Sequence, residues 1–329
     1  MAVLNVFDPS AYSLQELTLA MNNVPYTPTQ ITELGLFQEE GIATLSALIE
    51  AENGVLSIVA VAPRNGPGQV VDADKRTVKD FSLPHLPQRG AVMADQVQGV
   101  RAFGSENMAQ TLLNVRNKRL QKMRQQIDYT MEYHRLTAIL GNYINVNGTM
   151  VSLFTEFGVT EQTVDFVLGT ATTKLDQKCL EVLEHIEAGL GGIPFSGAHA
   201  YCGSSFWNKL IAHAYIRETH LSTQTAANLR GDPRQIVDYG GIRWERYRGT
   251  GSVVIPTGEA RVFPTGVDEL FITRFGPANY EETVNTMGLP YYAKAERMKF
   301  DKGMELEAQS NPLNLCTRPA SIVKIMTSN

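Results

Sequence analysis

Cysteine is scarce in this chain of 329 residues, which has three, at Cys179, Cys202 and Cys316. The number is odd and no two lie at disulfide or zinc spacing. That excludes a disulfide framework and fits reduced thiols made in a cytoplasm. Long apolar runs are missing too. The longest, Val55 to Ala62, falls far short of the ~20 residues that span a bilayer. The first residues, Met1-Ala2-Val3-Leu4-Asn5, lack the basic and apolar regions of a secretory signal. Asn147-Gly148-Thr149 is therefore read as a turn and not as a glycosylation site. Basic residues do not predominate: 29 Lys and Arg stand against 34 Asp and Glu, a net charge of −5. This argues against a protein that grips phosphates over its whole surface, while a local basic patch is still allowed. No low-complexity segment and no repeat of fixed period occurs. What remains, 43% hydrophobic and 19% charged, is a soluble cytoplasmic polypeptide with ample material for a core and a length of about two domains.

Catalytic signatures are equally hard to find. Gly189-Leu190-Gly191-Gly192-Ile193-Pro194 has proline where a dinucleotide fingerprint needs glycine, and Gly249-Thr250-Gly251-Ser252-Val253-Val254 fails at the same position. No Gly-Lys pair occurs, which excludes a standard phosphate loop. Only His199, Cys202 and His213 fall close together as metal ligands, without acids to orient the imidazoles. Gly203-Ser204-Ser205 is followed by Phe206 and Trp207, where a nucleophile elbow wants glycine. The acid pairs Glu39-Glu40 and Glu281-Glu282 are adjacent, so their side chains diverge, and solvated surface is the expectation. No catalytic, cofactor or metal residue is assigned.

What is present is an oversized excursion, Val55 to Val100, feeding a long helix. Its arms, Val55–Val61 out and Arg76–Phe81 back, are strand-like, with Pro63, Gly66, Pro67, Gly68, Pro84 and Pro87 between and after them. An arm of about 20 residues reaches about 65 Å when extended, against a radius of gyration near 20 Å for a body of this length. Such a hairpin cannot bury itself on its own body and needs a neighbour. On the returning arm and just past it, Val78, Phe81, Leu83 and Leu86 are expected to be exposed in the lone subunit and to dock on that neighbour.

The helix runs from about Ser105 to Leu140 without proline or glycine. Met108, Leu112, Val115, Leu120, Met123, Ile127 and Met131 recur at mostly three- or four-residue intervals as one apolar stripe. Other faces carry Arg116, Lys118, Arg119, Lys122 and Arg124, with no acid until Asp128. A solvated face explains that cluster, and so does contact of Arg116 and Arg119 with acids of a neighbouring subunit. Before the excursion, Ser13-Leu14-Gln15-Glu16 is a capping box for a short helix to Met21. After Gly141 the texture is α+β. Asn147-Gly148 signals a two-residue hairpin. Thr173–Ala188 and Ser204–Tyr215 are amphipathic helices, and strands are expected at 199–202, 241–254, 258–263, 270–274, 291–300, 303–308 and 322–326.

Several stretches resemble one family. They are Phe263-Pro264-Thr265-Gly266, Gly276-Pro277-Ala278, the run Val284 to Lys294, the run Glu307 to Leu313, and Arg318-Pro319, with Leu36 to Glu40 and Gly54 to Arg64 nearer the amino end. Their sum, over nearly the whole chain, resembles the phage major capsid proteins of the capsid protein E type, which includes the lambda-like subunit.

The resemblance implies the tailed-phage capsid fold of the Hong Kong ninety-seven type. On that template residues 1–50 are the N-arm, 51–100 the extended E-loop, 101–141 the peripheral domain with its spine helix, 142–262 the axial domain, and 263–329 the return to the peripheral domain. It also implies hexamers and pentamers in an icosahedral shell around double-stranded DNA. A separate scaffold protein, a maturation protease and a portal would be its partners, with a decoration protein as a further candidate. Lys75 and Lys79 lie where some relatives of the fold cross-link lysine to asparagine, which this type is not expected to do. An encapsulin-type cellular shell shares the fold and stands as the alternative. A hydrolase using Cys202 is the alternative of another class.

Overall fold

The computed structural model describes residues 14–23, 29–52, 76–97, 108–217, 236–249 and 251–328. The outbound hairpin arm expected at 55–61 and the helix cap expected at Ser105 lie outside them. Helices α1 (Leu14–Asn22) and α2 (Gln30–Leu34) precede strand β1 (Gln38–Gly41). Strands β2 (Ser46–Glu52) and β3 (Arg76–Ser82) form an antiparallel ribbon, Ser46 opposite Ser82 and Glu52 opposite Arg76. The excursion therefore begins at Ser46, several residues before Val55. Strand β4 (Leu86–Met93) and the single turn α3 (Ala94–Val97) follow, then helix α4 (Met108–Ile139). At 32 residues α4 is about 48 Å long.

Beyond α4 come the hairpin β5 (Asn142–Ile144) and β6 (Met150–Ser152), helix α5 (Leu153–Phe157), β7 (Gln162–Asp165), α6 (Leu175–Leu190), β8 (Gly197–Cys202), α7 (Ser204–Ala212), β9 (Val237–Tyr239), β10 (Ile242–Arg246) and β11 (Glu259–Thr265). Strands β12 (Phe271–Phe275), β13 (Tyr292–Arg297), β14 (Gly303–Ser310), β15 (Pro312–Cys316) and β16 (Val323–Met326) complete the described chain. The hairpin at Asn147 differs from expectation. Gly148 donates to Asn145 O and Asn145 to Thr149 O, with Gly148 at φ 74°. The loop is thus a three-residue connection with glycine in the left-handed position, not a two-residue one.

A six-stranded mixed sheet, in the order β7-β16-β11-β8-β10-β9, is the largest layer. Its period-two alternation sends Ala198, Ala200, Cys202, Val262 and Val323 to one face, where α6 and α7 add Cys179, Val182, Ile186, Phe206 and Trp207. The other face gives Tyr201 and Phe263 to a second core with Phe271, Leu313, Leu315 and the carboxyl end of α4. Burial on both faces of the central strands β8 and β11 explains why they are mostly apolar, while β7, β9 and β10 keep polar residues at their uncovered positions. The expected axial boundary at residue 262 falls inside β11, and β16 sits in this sheet and not in the one containing β4. Val323 and Ile325 are fully buried, and β16 pairs on both edges, with β11 and with β7.

A third core lies between α4, α1 and the three-stranded sheet β13-β14-β4. Leu120, Met123, Ile127 and Met131 of the predicted stripe are buried there, while Leu136 and Ile139 belong to the second core. One helix thus ties two cores together. Its buried side also carries charge. Arg124 donates to Asp128 and to Met21 O, and the Tyr291 hydroxyl donates to Asp128. Burial still holds the Asp128 carboxyl above the ordinary range. Glu132 accepts from Thr29 Oγ1, Ile31 N–H and Tyr247 Oη, fixing α2 on α4. Arg124 is therefore not part of the solvated cationic face. The acid pair of β1 diverges as strand geometry requires, but each member finds a cation, Glu39 with Arg135 and Glu40 with Arg274.

Candidate subunit interface

The ribbon packs one face on the body and leaves the other open. Ala47 and Ile49 of β2 are buried, whereas Leu48 between them is 68% exposed and Leu45, just before the strand, 73%. On β3, Phe81 is 2% exposed, edge-on to Tyr143 at 5.1 Å and stacked on Phe157 at 5.9 Å. Leu83 is buried against Gly276, where any side chain would clash with it. The expectation that Phe81 and Leu83 wait exposed for a neighbour is thus corrected. The root of the ribbon curls onto the β5–β6 hairpin and α5, which supply the aromatic partners the strand lacks in its own vicinity. Val78 pairs through its backbone with Glu50, and Leu86 opens β4 half-buried.

Arg116 and Arg119 stand on α4, half-buried, with Lys118 and Lys122 exposed nearby. They lie beside β4, far in the fold from the Phe81 cluster, so the six residues singled out from the sequence form no single patch. Arg119 reaches β4 itself: its Cγ and Cδ pass over Gly90 so closely that a Cβ there would meet them at 3.3 and 3.2 Å.

Two ordered segments that the sequence reading did not select hold apolar groups out to solvent. The first follows Glu281–Thr283, a 3-10 turn. Thr283 Oγ1 donates to Ala278 O, Thr286 Oγ1 to Thr283 O, Gly288 N–H to Ile42 O and Leu289 N–H to the Tyr292 hydroxyl. With its backbone so fixed, the loop exposes Val284, Met287 and Leu289. The second is the tip of the β13–β14 hairpin, where Phe300 is 90% exposed. Phe300 and Asp301 both adopt left-handed backbone angles, φ 63° and 53°, an arrangement that costs on the order of 1 kcal/mol per residue. The sequence signal was an aromatic flanked by Lys299, Asp301 and Lys302 between two strands.

The histidine and cysteines that the sequence offers for covalent chemistry are held apart or buried. His199 and Cys202 are three residues apart on β8 and so project to opposite faces. Cys202 is fully buried, with its thiol pushed well above the ordinary range by desolvation, and burial lifts Cys179 and Cys316 to about 12. A thiol held so is a poor nucleophile. The His199 ring stacks on Phe263 and meets Tyr201 edge-on, with Nε2 3.3 Å from Glu245. Among the described residues no three His, Cys, Asp or Glu side chains gather as metal ligands, and no helix is long and apolar enough to cross a membrane.

The comparisons agree with this geometry. The model of the family described as phage major capsid protein E matches residues 13–327. The chain is 26% identical to the major capsid protein of Salmonella phage Felix O1 over an alignment of 357 residues, covering 97% of each. It is 28% identical to the major capsid protein of Pseudomonas phage KPP10, covering 95% of this chain and 96% of that one. Among solved structures, the capsid of cyanophage P-SCSP1u superposes with a TM-score of 0.56 at 11% identity, over 93% of this chain and 90% of that one. The α+β arrangement, with its ribbon, long helix, six-stranded sheet and two three-stranded sheets, is the tailed-phage capsid fold, and the chain belongs to the phage major capsid protein E family.

Proposed function

We propose that copies of this chain associate as hexamers and pentamers into the icosahedral head of a tailed bacteriophage, enclosing double-stranded DNA without reading its sequence. The family supplies the class. The observation that carries the reading is the set of fixed outlying segments that hold Leu48, Val284, Met287 and Phe300 away from every core of their own subunit. Apolar groups on ordered backbone are what a recurring protein contact uses as its buried centre. Many such contacts of modest area act together in a closed shell, so the particle outlasts any one of them. A separate scaffold protein, a maturation protease and a portal belong to this reading, and a decoration protein has the outer surface open to it. The subunit is assembled in the host cytoplasm and ends in the virion, in a structural role. Negative-stain images of the purified protein should show closed shells, or capsomers that become shells when scaffold is added. Light scattering that finds only monomer under all salt and scaffold conditions overturns the reading.

A further inference from the structure

We propose that the solvent face of α4 between Asn114 and Thr130 is a contact surface for the phosphates of double-stranded DNA, and that this face of the subunit therefore points into the head. The inference rests on the reading of the chain as a shell protein. The face is formed by Lys118, Gln121, Lys122, Gln125 and Tyr129, all exposed, with Arg119 along its edge. The first acid after Arg116 is Asp128, which is turned inward and 2% exposed. A chain with net charge −5 thus keeps a stretch about 20 Å long that is free of acids. Lys118 and Lys122 enter no ion pair among the described residues and stand about 6 Å apart along the helix.

Arg119 is held in place by a built feature. Gly90 lies in the middle of β4 without a left-handed φ, so the backbone does not demand glycine there. Glycine instead lets the Arg119 stem lie close, since a Cβ would meet its Cδ and Cγ at 3.2 and 3.3 Å and push it outward by a few tenths of an ångström. The stem lies on the sheet and the guanidinium is carried to the edge of the helix face.

The opposite side of the same layer carries the other sign. In the three-stranded sheet, Met304, Leu306 and Ala308 point toward α4, so Glu305 and Glu307 point away. Glu296 lies directly across from Glu305, two carboxylates on one outward face, and neither has a cationic partner among the described residues. Arg89 and Lys294 balance Glu307 and Glu282 on that side. The layer is thus polarised, cationic on the helix and acidic around Glu296 and Glu305. A polyanion is drawn to one side and repelled by the other.

The make-up of the face favours nucleic acid over an acidic protein segment. It offers Lys, Arg, Gln, Asn and Tyr donors, the groups that serve phosphate oxygens. Its one exposed apolar group is the Tyr129 ring, too little for the apolar centre of a protein–protein patch.

The test uses the full chain with Lys118→Gln, Arg119→Gln and Lys122→Gln combined, alongside the parent. Soluble capsomers are titrated with a mixed-sequence duplex of about 40 base pairs over a series of salt concentrations. Loss of three phosphate contacts should make the slope of log affinity against log salt shallower by about 2.7. The affinity lost between 50 and 200 mM salt would then be about 40-fold smaller than for the parent. An unchanged slope overturns the proposal. So does a variant that melts like the parent and keeps its DNA slope but no longer closes shells, which would assign the face to acids of a neighbouring subunit. A second measurement needs no variant: an amine reagent too large to enter closed parental heads should leave Lys118 and Lys122 unmodified until the heads are opened. Labelling in closed heads overturns the proposal. If the parent forms no shells at all, the capsid reading fails, and the duplex titration is judged separately.

Discussion

The guanidinium of Arg124 lies over the ring of Tyr291, 3.6 Å from its centroid, while the hydroxyl of that tyrosine is hydrogen-bonded to Asp128 at 2.6 Å. Three segments distant in sequence, α1, α4 and the residue that leads into β13, meet at this point, because Arg124 also donates to Met21 O. Removing the cation leaves Asp128 buried and only partly compensated. Arg124→Met is expected to cost about 3–5 kcal/mol and Tyr291→Phe about 1–3 kcal/mol. Denaturant unfolding of assembly-blocked subunits at neutral pH measures both. A cost below about 1 kcal/mol for Arg124→Met would show that this cluster does not hold the third core together.

Phe81→Ala tests the root of the ribbon. With Phe81 packed between Tyr143 and Phe157, truncation should destabilise the isolated subunit itself by about 3–5 kcal/mol. Unfolding of the monomer is the readout. A monomer that melts like the parent would place the ring outside the subunit core after all.

Phe300→Asn separates assembly from stability. Asparagine tolerates the left-handed conformation that Phe300 holds at φ 63°. The subunit should therefore keep its stability or gain up to about 1 kcal/mol. Shell yield by gradient sedimentation should fall if the 90% exposed ring is buried against another copy. Parental yield would remove the hairpin tip from the contact surface.

His134 sets an acid limit. It is 5% exposed on α4, and desolvation lowers it from 6.5 to about 4. On acidification the unfolded chain takes up this proton first. The contribution is intact above about pH 6.5 and is lost progressively as pH falls toward 4, by roughly 3 kcal/mol. His134→Gln should flatten that limb. Comparing parent and variant at each pH cancels the opposing effect of Asp128, whose raised carboxyl gains its proton first in the folded state. Parallel pH curves for the two proteins would show that another group sets the limit.

The long helix is legible in the sequence because its own residues decide it: Leu120, Met123, Ile127 and Met131 recur on one stripe, with no proline or glycine to interrupt them. The apolar strands of the large sheet are legible for the same local reason. Phe81 is not, since the burial of a strand face depends on what covers it, and Tyr143 and Phe157 come from elements far along the chain. Arg124 looks like one more surface cation beside Lys122. Of its partners only Asp128 is local, while Met21 and Tyr291 are brought to it by the fold. The exposed apolar loop at 284–289 is hidden for the converse reason: sequence shows apolar residues but not that the subunit leaves them uncovered.

The position of β16 has a consequence for timing. This strand separates β7 from β11 in the large sheet, so neither edge closes until residues 323–326 exist. β7 ends at Asp165 and waits for a partner made roughly 160 residues later, about 8–30 s at ordinary rates of synthesis. A nascent subunit thus spends that interval with an open sheet, unable to present its finished surface to other copies still on ribosomes. The largest layer of the subunit is therefore complete only when one short strand near residue 325 has been made and inserted.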